Sequence, residues 1–286
     1  MDGSILRGVV SQGLGTGVTP GIFESVFKRP TLDETFLAVA GSGFQCVQFD
    51  FGSANLDPWS GTLDLSAVER IRRAADIAGV RVPAVSGTFN MAHPDPDGRQ
   101  RGLEGIDRIA ACAGTLGASF VTLCTGTRDA ASMWRWHRDN ATLEAWADMV
   151  DTMTSALEIA ERHEVVLVVE PEPANVVSST ARARELLDRL ANERLKIVLD
   201  PANIVLSDRT QSPDSVLKEA FALLGPDIVF AHAKDLNEEG EFCAAGTGIV
   251  PWDRFWQLLE NIGYEGDVIF HTLTEVDVTR ALSLLR

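Results

Sequence analysis

Residues 165–175 read VVLVVEPEPAN and contain the pattern that decides the fold. Five apolar residues, four of them valine, lead directly into Glu170, as expected of a strand that is buried on both faces of a parallel sheet. Pro171 cannot donate a hydrogen bond to a sheet ladder, so it ends the strand at the glutamate. The sequence therefore predicts an acidic side chain at the carboxyl end of a buried parallel strand.

Three later segments repeat this arrangement of an apolar run that ends in a side chain able to bind metal. They are LKIVLD ending at Asp200, IVFAH ending at His232 and VIFH ending at His271. The four polar positions are separated by 30, 32 and 39 residues, about one strand–helix–strand unit each. We therefore expect four consecutive parallel strands that end at the same edge of one sheet.

Strand and helix patterns alternate along the whole chain, with eight strands each followed by a helix and no linker between them. This predicts an α/β fold, a single (β/α)8 TIM barrel over residues 1–286. A doubly wound open sheet is the alternative, but QGLGTGVTPG at 12–21 reaches a proline and has no GxGxxG entry into a helix. The first four strands are predicted at about Leu6–Ser11, Phe44–Asp50, Val80–Ser86 and Ser119–Thr125. The helices are predicted to begin near Leu32, Leu65, Gln100, Thr142, Thr180, Asp214, Trp252 and Val276.

Composition excludes several classes of protein. Lys+Arg 25 against Asp+Glu 41 gives a net charge of −16, which repels nucleic acid and anionic membranes. No apolar run reaches the length of a membrane span, and the 4 cysteines are far apart in sequence, which argues against a CxxC motif or a disulfide framework. We expect a cytoplasmic protein with no nucleic-acid or membrane partner, and leave open a homo-oligomer.

The four strand-end residues are candidate metal ligands. Inward and outward side chains alternate along a strand, and Glu170, Asp200, His232 and His271 each follow an inward-pointing apolar residue by two positions. All four then converge over the barrel mouth, where barrel enzymes place their sites. Two carboxylates and two imidazoles suit a divalent cation such as Mn, Mg, Co, Fe or Zn. The alternative is that each residue is only a polar cap of its strand.

The chain also resembles the sugar phosphate isomerase/epimerase family of xylose isomerase-like TIM barrels. The matching segments follow in the order and spacing of that family: RIAACAGTLGASFVTLCTG at 108–126, LVVEP at 167–171, IVLDPAN at 197–203, FAHAKD at 230–235 and GYEGDVIFH at 263–271. By this resemblance Glu170, Asp200 and His232 take the places of family metal ligands. The fourth place is normally glutamate, and this chain has His271 there.

The resemblance implies a divalent-metal-dependent isomerase or epimerase of a sugar, sugar phosphate or keto-polyol, working through a metal-stabilised enediolate. Its partner would be a small-molecule carbohydrate. Candidate catalytic residues are Glu170, Glu172 and Lys234, and Glu172 becomes the strand ligand if the register slips by two. The alternatives are a non-catalytic sugar- or metal-binding barrel and, disfavoured by the charge and by only 5 histidines, an endonuclease IV-like phosphodiesterase.

Four further residues are candidates for substrate binding. Asn90 and His93 follow the third predicted strand, Asn203 lies three residues past Asp200, and Trp134 lies in a long loop, Thr125–Asp139, before the fourth helix. Long loops with aromatic residues at a barrel mouth are lid candidates. For each of the four residues the alternative is a purely structural role in its loop.

Overall fold

In the computed structural model, which describes residues 17–285, eight parallel strands close into a barrel. Each strand pairs with its neighbours in the chain, and the first pairs with the last, so the predicted (β/α)8 TIM barrel is confirmed. The strands are β1 Thr19–Phe23, β2 Cys46–Phe49, β3 Arg81–Ser86, β4 Phe120–Cys124, β5 Val166–Glu170, β6 Leu195–Leu199, β7 Ile228–Ala233 and β8 Asp267–Phe270.

Helices connect the strands on the outside. In the described part of the chain they are α1 Leu32–Ser42, α2 Leu65–Ala78, α3 Pro96–Leu116, α4 Leu143–Arg162, α5 Thr180–Leu190, α6 Pro201–Ser207, α7 Pro213–Leu224, α8 Trp252–Asn261 and α9 Val278–Ser283. None of these helices has both the length and the apolar character needed to cross a bilayer. Between β7 and α8, a short antiparallel ribbon pairs Asp235–Leu236 with Phe242–Cys243.

The first strand of the described barrel is not the segment predicted for it. The strand that pairs with both β2 and β8 is Thr19–Phe23, which lies beyond the predicted segment, and Leu6–Ser11 lies outside the described residues. Its glycine is needed for packing: a Cβ on Gly21 would lie 2.4 Å from Ile269 Cδ1 and 2.6 Å from Cys46 Sγ. At the mouth, the segments that follow β1 and β8 are joined by a bidentate ion pair between Arg29 and Glu275, with N–O distances of 2.6 and 2.8 Å.

Helix boundaries agree with the prediction where the sequence carries a capping residue. Thr31 accepts a hydrogen bond from Glu34 N at the start of α1, and α2 and α5 have the predicted bounds. Helix α3 begins earlier than predicted, because Asp95 caps it and Pro96 suits its first turn. The short helix α6 was not predicted.

The barrel interior is filled by one compact apolar layer. It consists of Cys46, Ala84, Val168, Val198, Phe230 and Ile269, all fully buried. A larger core lies between the strands and the surrounding helices. Two positions beyond each interior residue, the chain places a polar side chain at the carboxyl end of the barrel. Alternation along the strands therefore gives Gln48, Ser86, Glu170, Asp200, His232 and His271 the same inward face, as predicted for the last four.

Candidate active site

Three of the four predicted ligands form a tight cluster above the apolar layer. Ligand atoms of Asp200, His232 and His271 all lie within 4.8 Å of one another. His271 Nε2 is 3.0 Å from Asp200 Oδ2. The other oxygen of Asp200 accepts hydrogen bonds from the backbone N–H groups of Ala202 and Asn203, so the turn into α6 fixes the carboxylate.

Glu170 adjoins this cluster from the end of β5. Its Oε2 lies 3.3 Å from His232 Nδ1, and its Oε1 accepts a hydrogen bond of 2.6 Å from Asn203 Nδ2. Asn203 Oδ1 is buried and has no hydrogen-bond partner among the described residues. The structure thus brings together all four predicted ligands and Asn203, one of the four predicted substrate contacts.

The contacts of His232 Nε2 are set by Gln48, which was not predicted as a site residue. Gln48 on β2 donates from its Nε2 to Thr122 Oγ1 and Ser86 Oγ, at 2.9 and 3.1 Å, so its Oε1 faces the histidine. Oε1 lies 2.8 Å from His232 Nε2, and because an amide oxygen only accepts hydrogen bonds, that nitrogen carries a proton.

His232 Nδ1 points at the cluster. This atom is fully buried and has no hydrogen-bond partner within the described residues, although the Glu170 carboxylate lies beside it. Because Nε2 is bonded to Gln48, Nδ1 is the ring nitrogen available to a cation, and such a cation would also lie next to the carboxylate. The donor set of two carboxylates and two imidazoles, with this free nitrogen, therefore fits a divalent metal ion.

Lys234 supplies a positive charge at the edge of the same cluster. Its Nζ lies 3.4 Å from Asp200 Oδ2 and 3.8 Å from Glu170 Oε1, and 4.1 Å from the centre of the Phe242 ring on the ribbon. Burial lowers the pKa of Lys234, but the carboxylates of Asp200, Glu170 and Glu172 outweigh it and raise that pKa above its usual value. The buried amine therefore stays an ammonium.

Glu170 and Glu172 differ in their surroundings although only Pro171 separates them. Burial raises the pKa of either carboxyl group, but at Glu170 the neighbouring His232 and Lys234 outweigh burial, and its pKa is lowered. At Glu172 burial dominates, and the pKa is raised. Glu172 Oε1 accepts a hydrogen bond from Ala174 N, while Oε2 is buried without a partner in the described chain. Both side chains belong to the carboxyl end of β5.

The environment keeps His271 neutral and Asp200 ionised. Burial lowers the pKa of His271, so its imidazole is neutral at physiological pH. Burial opposes the ionisation of Asp200, but Lys234 and His271 outweigh this effect and lower its pKa well below the usual range.

The Phe23 ring of β1 packs against both imidazoles, with centroids 5.4 Å from His271 and 5.9 Å from His232.

Two predicted substrate contacts are engaged with the long loop that follows β4. Asn90 Oδ1 accepts from Thr127 N, and its Nδ2 donates to Asp129 O. His93 lies 3.3 Å from Ala130 O through Nε2, and its Nδ1 accepts from Asp95 N. Both side chains thus bind backbone groups, as expected for the structural role that was given as the alternative. A role in substrate binding stays a prediction.

Trp134 lies on that loop with 58% of its surface exposed. Its side chain borders a cleft that the end of β3 also lines. The loop itself is held by amide side chains. Asn140 Oδ1 accepts from Thr127 Oγ1 and Arg128 N, and Asn175 bonds both Gly126 N and Met133 O. Trp134 is therefore carried by a fixed loop at the mouth, as a substrate contact requires.

Gln48, Ser86 and Phe23 were missed as site residues. Gln48 and Ser86 follow the interior residues Cys46 and Ala84 by two positions, which is the same rule that identified Glu170 and Asp200. Applying that rule to the second and third strands would have found them. Phe23 was not identified because its strand was not predicted.

The fold and the donor set define a (β/α)8 barrel whose mouth carries a candidate divalent-metal site. Residues 36–284 match the family model described as xylose isomerase-like TIM barrel. The chain belongs to that family. No curated protein matches its sequence.

Solved structures with the same fold include several sugar-modifying enzymes. The chain is similar to 3-keto-D-glucoside 4-epimerase from E. coli (16% identity, 94% of this chain and 99% of that chain, TM-score 0.73). It is also similar to a D-tagatose 3-epimerase-like protein (18%, 94% and 96%, TM-score 0.75). A third similar structure is the probable 3-DHS dehydratase from Bacillus anthracis (14%, 94% and 98%, TM-score 0.73). The fold is thus one shared by sugar isomerase/epimerase-like enzymes.

Proposed function

We propose that the protein is a divalent-metal-dependent isomerase or epimerase of a keto sugar. One observation carries this proposal: the ligand cluster lies beside two glutamates at the end of a single strand, the buried Glu170 and the half-buried Glu172. The site therefore combines donors for a cation with carboxyl groups able to move a proton, which are the two requirements for shifting a hydrogen next to a carbonyl. The family and the epimerases that share the fold support the same class of reaction.

Asp200, His232 and His271 would hold the cation, with Glu170 as the fourth ligand. When bound, a divalent cation supplies a Lewis acid that polarises the substrate carbonyl and its neighbouring hydroxyl. Two features of the protein orient these ligands before a cation binds. Gln48 accepts from His232 Nε2 and so leaves Nδ1 for the cation, and the backbone N–H groups of α6 orient Asp200.

Glu170 would take the proton from the carbon next to the carbonyl, and Glu172 would return a proton to the carbonyl carbon. Lys234 holds positive charge beside both carboxyl groups and would stabilise negative charge that develops on the substrate oxygens. Phe242 and Phe23 cover two sides of the cluster and limit the access of water.

The position of the two glutamates favours isomerisation over epimerisation. Both belong to the end of β5, so they would approach the substrate from one side, which suits transfer of a proton between adjacent carbons on one face. Epimerisation requires a second group on the opposite face, and the residue across the mouth is His271 on β8, at the position where the resemblance described above implies glutamate. The two reactions differ in product: aldose–ketose pairs in the first case and epimeric ketoses in the second.

Solvent exchange tests the function directly. Protein reconstituted separately with Mn²⁺, Mg²⁺, Co²⁺, Fe²⁺ and Zn²⁺ is incubated in D₂O with a panel of ketoses and aldoses. We expect deuterium at the carbon next to the carbonyl and the appearance of an isomer, both detected by NMR. Binding of a sugar without exchange or product, with every metal, would contradict the proposal and favour a non-catalytic sugar-binding barrel.

Metal content tests the ligand set independently of turnover. Asp200→Ala should lose most of the bound metal when measured by elemental analysis after dialysis. Glu275→Gln is the matched control, because Glu275 is an exposed acid at the mouth that pairs with Arg29 and does not reach the cluster. Equal metal content in Asp200→Ala and the wild type would contradict the assignment.

A further inference from the structure

A second concave region lies beside the candidate active site. It is a cleft of about 410 Å³ between the loops that follow β2 and β3 and the long loop after β4. Its walls include the aromatic residues Phe51, Trp59 and Trp134, the acids Asp50 and Asp57, and the hydroxyl of Ser86. Its volume is near the lower end of the roughly 300–1,000 Å³ typical of small-molecule pockets, which suits one sugar ring better than an oligosaccharide.

The cleft lies next to the cluster. Ser86 lines the cleft and accepts a hydrogen bond from Gln48 Nε2 at 3.1 Å. The other end of the same amide contacts His232 Nε2 at 2.8 Å. The side chain of Gln48 thus spans the distance from the wall of the cleft to a candidate metal ligand, so the two regions are close enough for a ligand of two sugar rings to reach both.

The chemistry of the walls selects for a neutral polyhydroxyl ligand. Indole and phenyl faces pack against the C–H face of a sugar ring, and carboxylates accept hydrogen bonds from its hydroxyl groups. Asp50 and Asp57 are negative, and no lysine, arginine or histidine is among the described residues that line the cleft. A phosphate group would meet two like charges there and no cation to pair with.

We propose that this cleft binds a second, glycosidically linked sugar ring, so that the substrate is a neutral glycoside of the keto sugar and not a sugar phosphate. This inference rests on the proposed function, because the first ring is the one that reacts at the cluster. Trp59 and Trp134 provide the faces against which the second ring packs, and Asp50 and Asp57 bind its hydroxyl groups.

Binding to a matched set of sugars tests the inference. Isothermal titration calorimetry on Mn²⁺-loaded protein compares D-fructose, D-fructose 6-phosphate and three disaccharides that keep a free ketose: isomaltulose, turanose and lactulose. We expect at least one disaccharide to bind tenfold or more tightly than D-fructose, and the phosphate ester to bind no more tightly than D-fructose. Tightest binding of the phosphate ester, or no disaccharide that exceeds D-fructose, overturns the inference.

Variants locate the second ring. Trp134→Ala and Trp59→Phe should each weaken the best disaccharide at least fivefold and change D-fructose affinity less than threefold. Trp59→Phe keeps an aromatic ring packed on Phe89, whose centroid lies 6.0 Å away, so the fold is preserved. Trp136→Ala is the control: this residue is 63% exposed on the same loop but lines another groove. The inference is contradicted if Trp136→Ala weakens disaccharide binding as much as the other variants do. It is also contradicted if Trp134→Ala and Trp59→Phe weaken D-fructose as much as the disaccharide.

The two proposals can fail separately. Absence of deuterium exchange with every ketose would contradict the isomerase, whereas the binding ratios and their dependence on Trp134 decide the cleft. Exchange at D-fructose without any advantage for a disaccharide would retain the isomerase and reject the second ring.

Discussion

The two halves of the barrel mouth differ in charge. The inward residues at the ends of β5 to β8 are all ionisable, and those at the ends of β1 to β4 are all uncharged. The first group comprises Glu170, Asp200, His232 and His271, and the second Phe23, Gln48, Ser86 and Thr122. Ionisable groups are costly to bury singly, and here they are buried together with Lys234, so that each has a partner of opposite charge or a hydrogen bond.

Under the proposed function, this division separates chemistry from recognition. The charged half can hold a cation and move protons, whereas the uncharged half offers an amide, two hydroxyls and aromatic faces, which suit a neutral sugar. Gln48 connects the halves, because it belongs to the second and fixes the ring of His232 in the first. Substitutions in the charged half should therefore affect turnover most, and substitutions in the other half should affect affinity or stability.

The largest expected effect is that of Glu170→Gln. The amide keeps the shape of the side chain and can still accept from Asn203, but it cannot take a proton, so kcat should fall by about 10³-fold or more. The measurement is deuterium exchange or product formation at saturating sugar. Glu275→Gln is the control. A kcat of Glu170→Gln within tenfold of wild type would show that another residue is the base and would contradict the division between the two halves of the mouth.

Glu172→Gln should have the next largest effect. If Glu172 returns the proton, kcat falls by about 10²-fold while metal content is unchanged. Steady-state kinetics and elemental analysis on the same sample test both parts. Loss of metal with this variant, and retention of metal with Glu170→Gln, would move the strand ligand from Glu170 to Glu172.

Gln48→Leu tests the connection between the halves. Without the amide oxygen the proton of His232 is free to occupy Nδ1, so metal affinity should fall by about 10- to 100-fold. Competition with a chromophoric chelator measures this constant. Gln48→Glu is the matched control, since a carboxylate also accepts from Nε2, and it should retain more affinity than the leucine variant. Equal affinity of Gln48→Leu and wild type would mean that the tautomer is fixed in another way.

Glu24 is a buried ionisable residue next to Phe23 of the uncharged group, and its substitution should affect activity least. This carboxyl group is fully buried just past β1, accepts from Asp50 N at 3.2 Å through Oε1, and has no partner for Oε2 among the described residues. Burial raises its pKa to about 7. Because the folded-state pKa lies above the ordinary value of 4.5, its contribution to stability is complete below about pH 4.5 and is lost as the pH rises through 7.

Glu24→Gln should remove this pH dependence. Between pH 5 and pH 8 the wild type should lose roughly 2–3 kcal/mol of unfolding free energy that the variant keeps. Urea denaturation of both proteins at the two pH values gives the comparison, with kcat expected to change less than threefold. Parallel stability profiles for the two proteins would show that Glu24 is ionised in the folded state at pH 5.

The sequence predicts most of this barrel because its strands are apolar runs with abrupt polar ends. Val166–Glu170 and Leu195–Leu199 are buried on both faces, and capping residues such as Thr31 mark helix starts, so local chemistry is sufficient there. Strand β1 escaped prediction because Pro20 and Gly21 are typical of loops. The glycine is required only by side chains more than 20 and 240 residues away, Cys46 and Ile269.

The candidate ligands followed from sequence, but their supporting contacts did not. Gln48 acts on a histidine 184 residues distant, and nothing in QCVQFD indicates which strand it will face. The roles of Asn90 and Asn140 likewise depend on the path of the loop after β4. Contacts of this kind are set by closure of the barrel and not by local periodicity.

The pairing of β1 with β8 has a consequence for synthesis. A ribosome delivers Thr19–Phe23 about 250 residues before Asp267–Phe270, an interval of roughly 10–50 s at typical elongation rates. During that time β1 and the most recently made strand both present unpaired edges, which are templates for aggregation. The nascent chain therefore has to be protected until translation reaches the last strand, and a stalled ribosome short of β8 would expose an open sheet to chaperones or proteases.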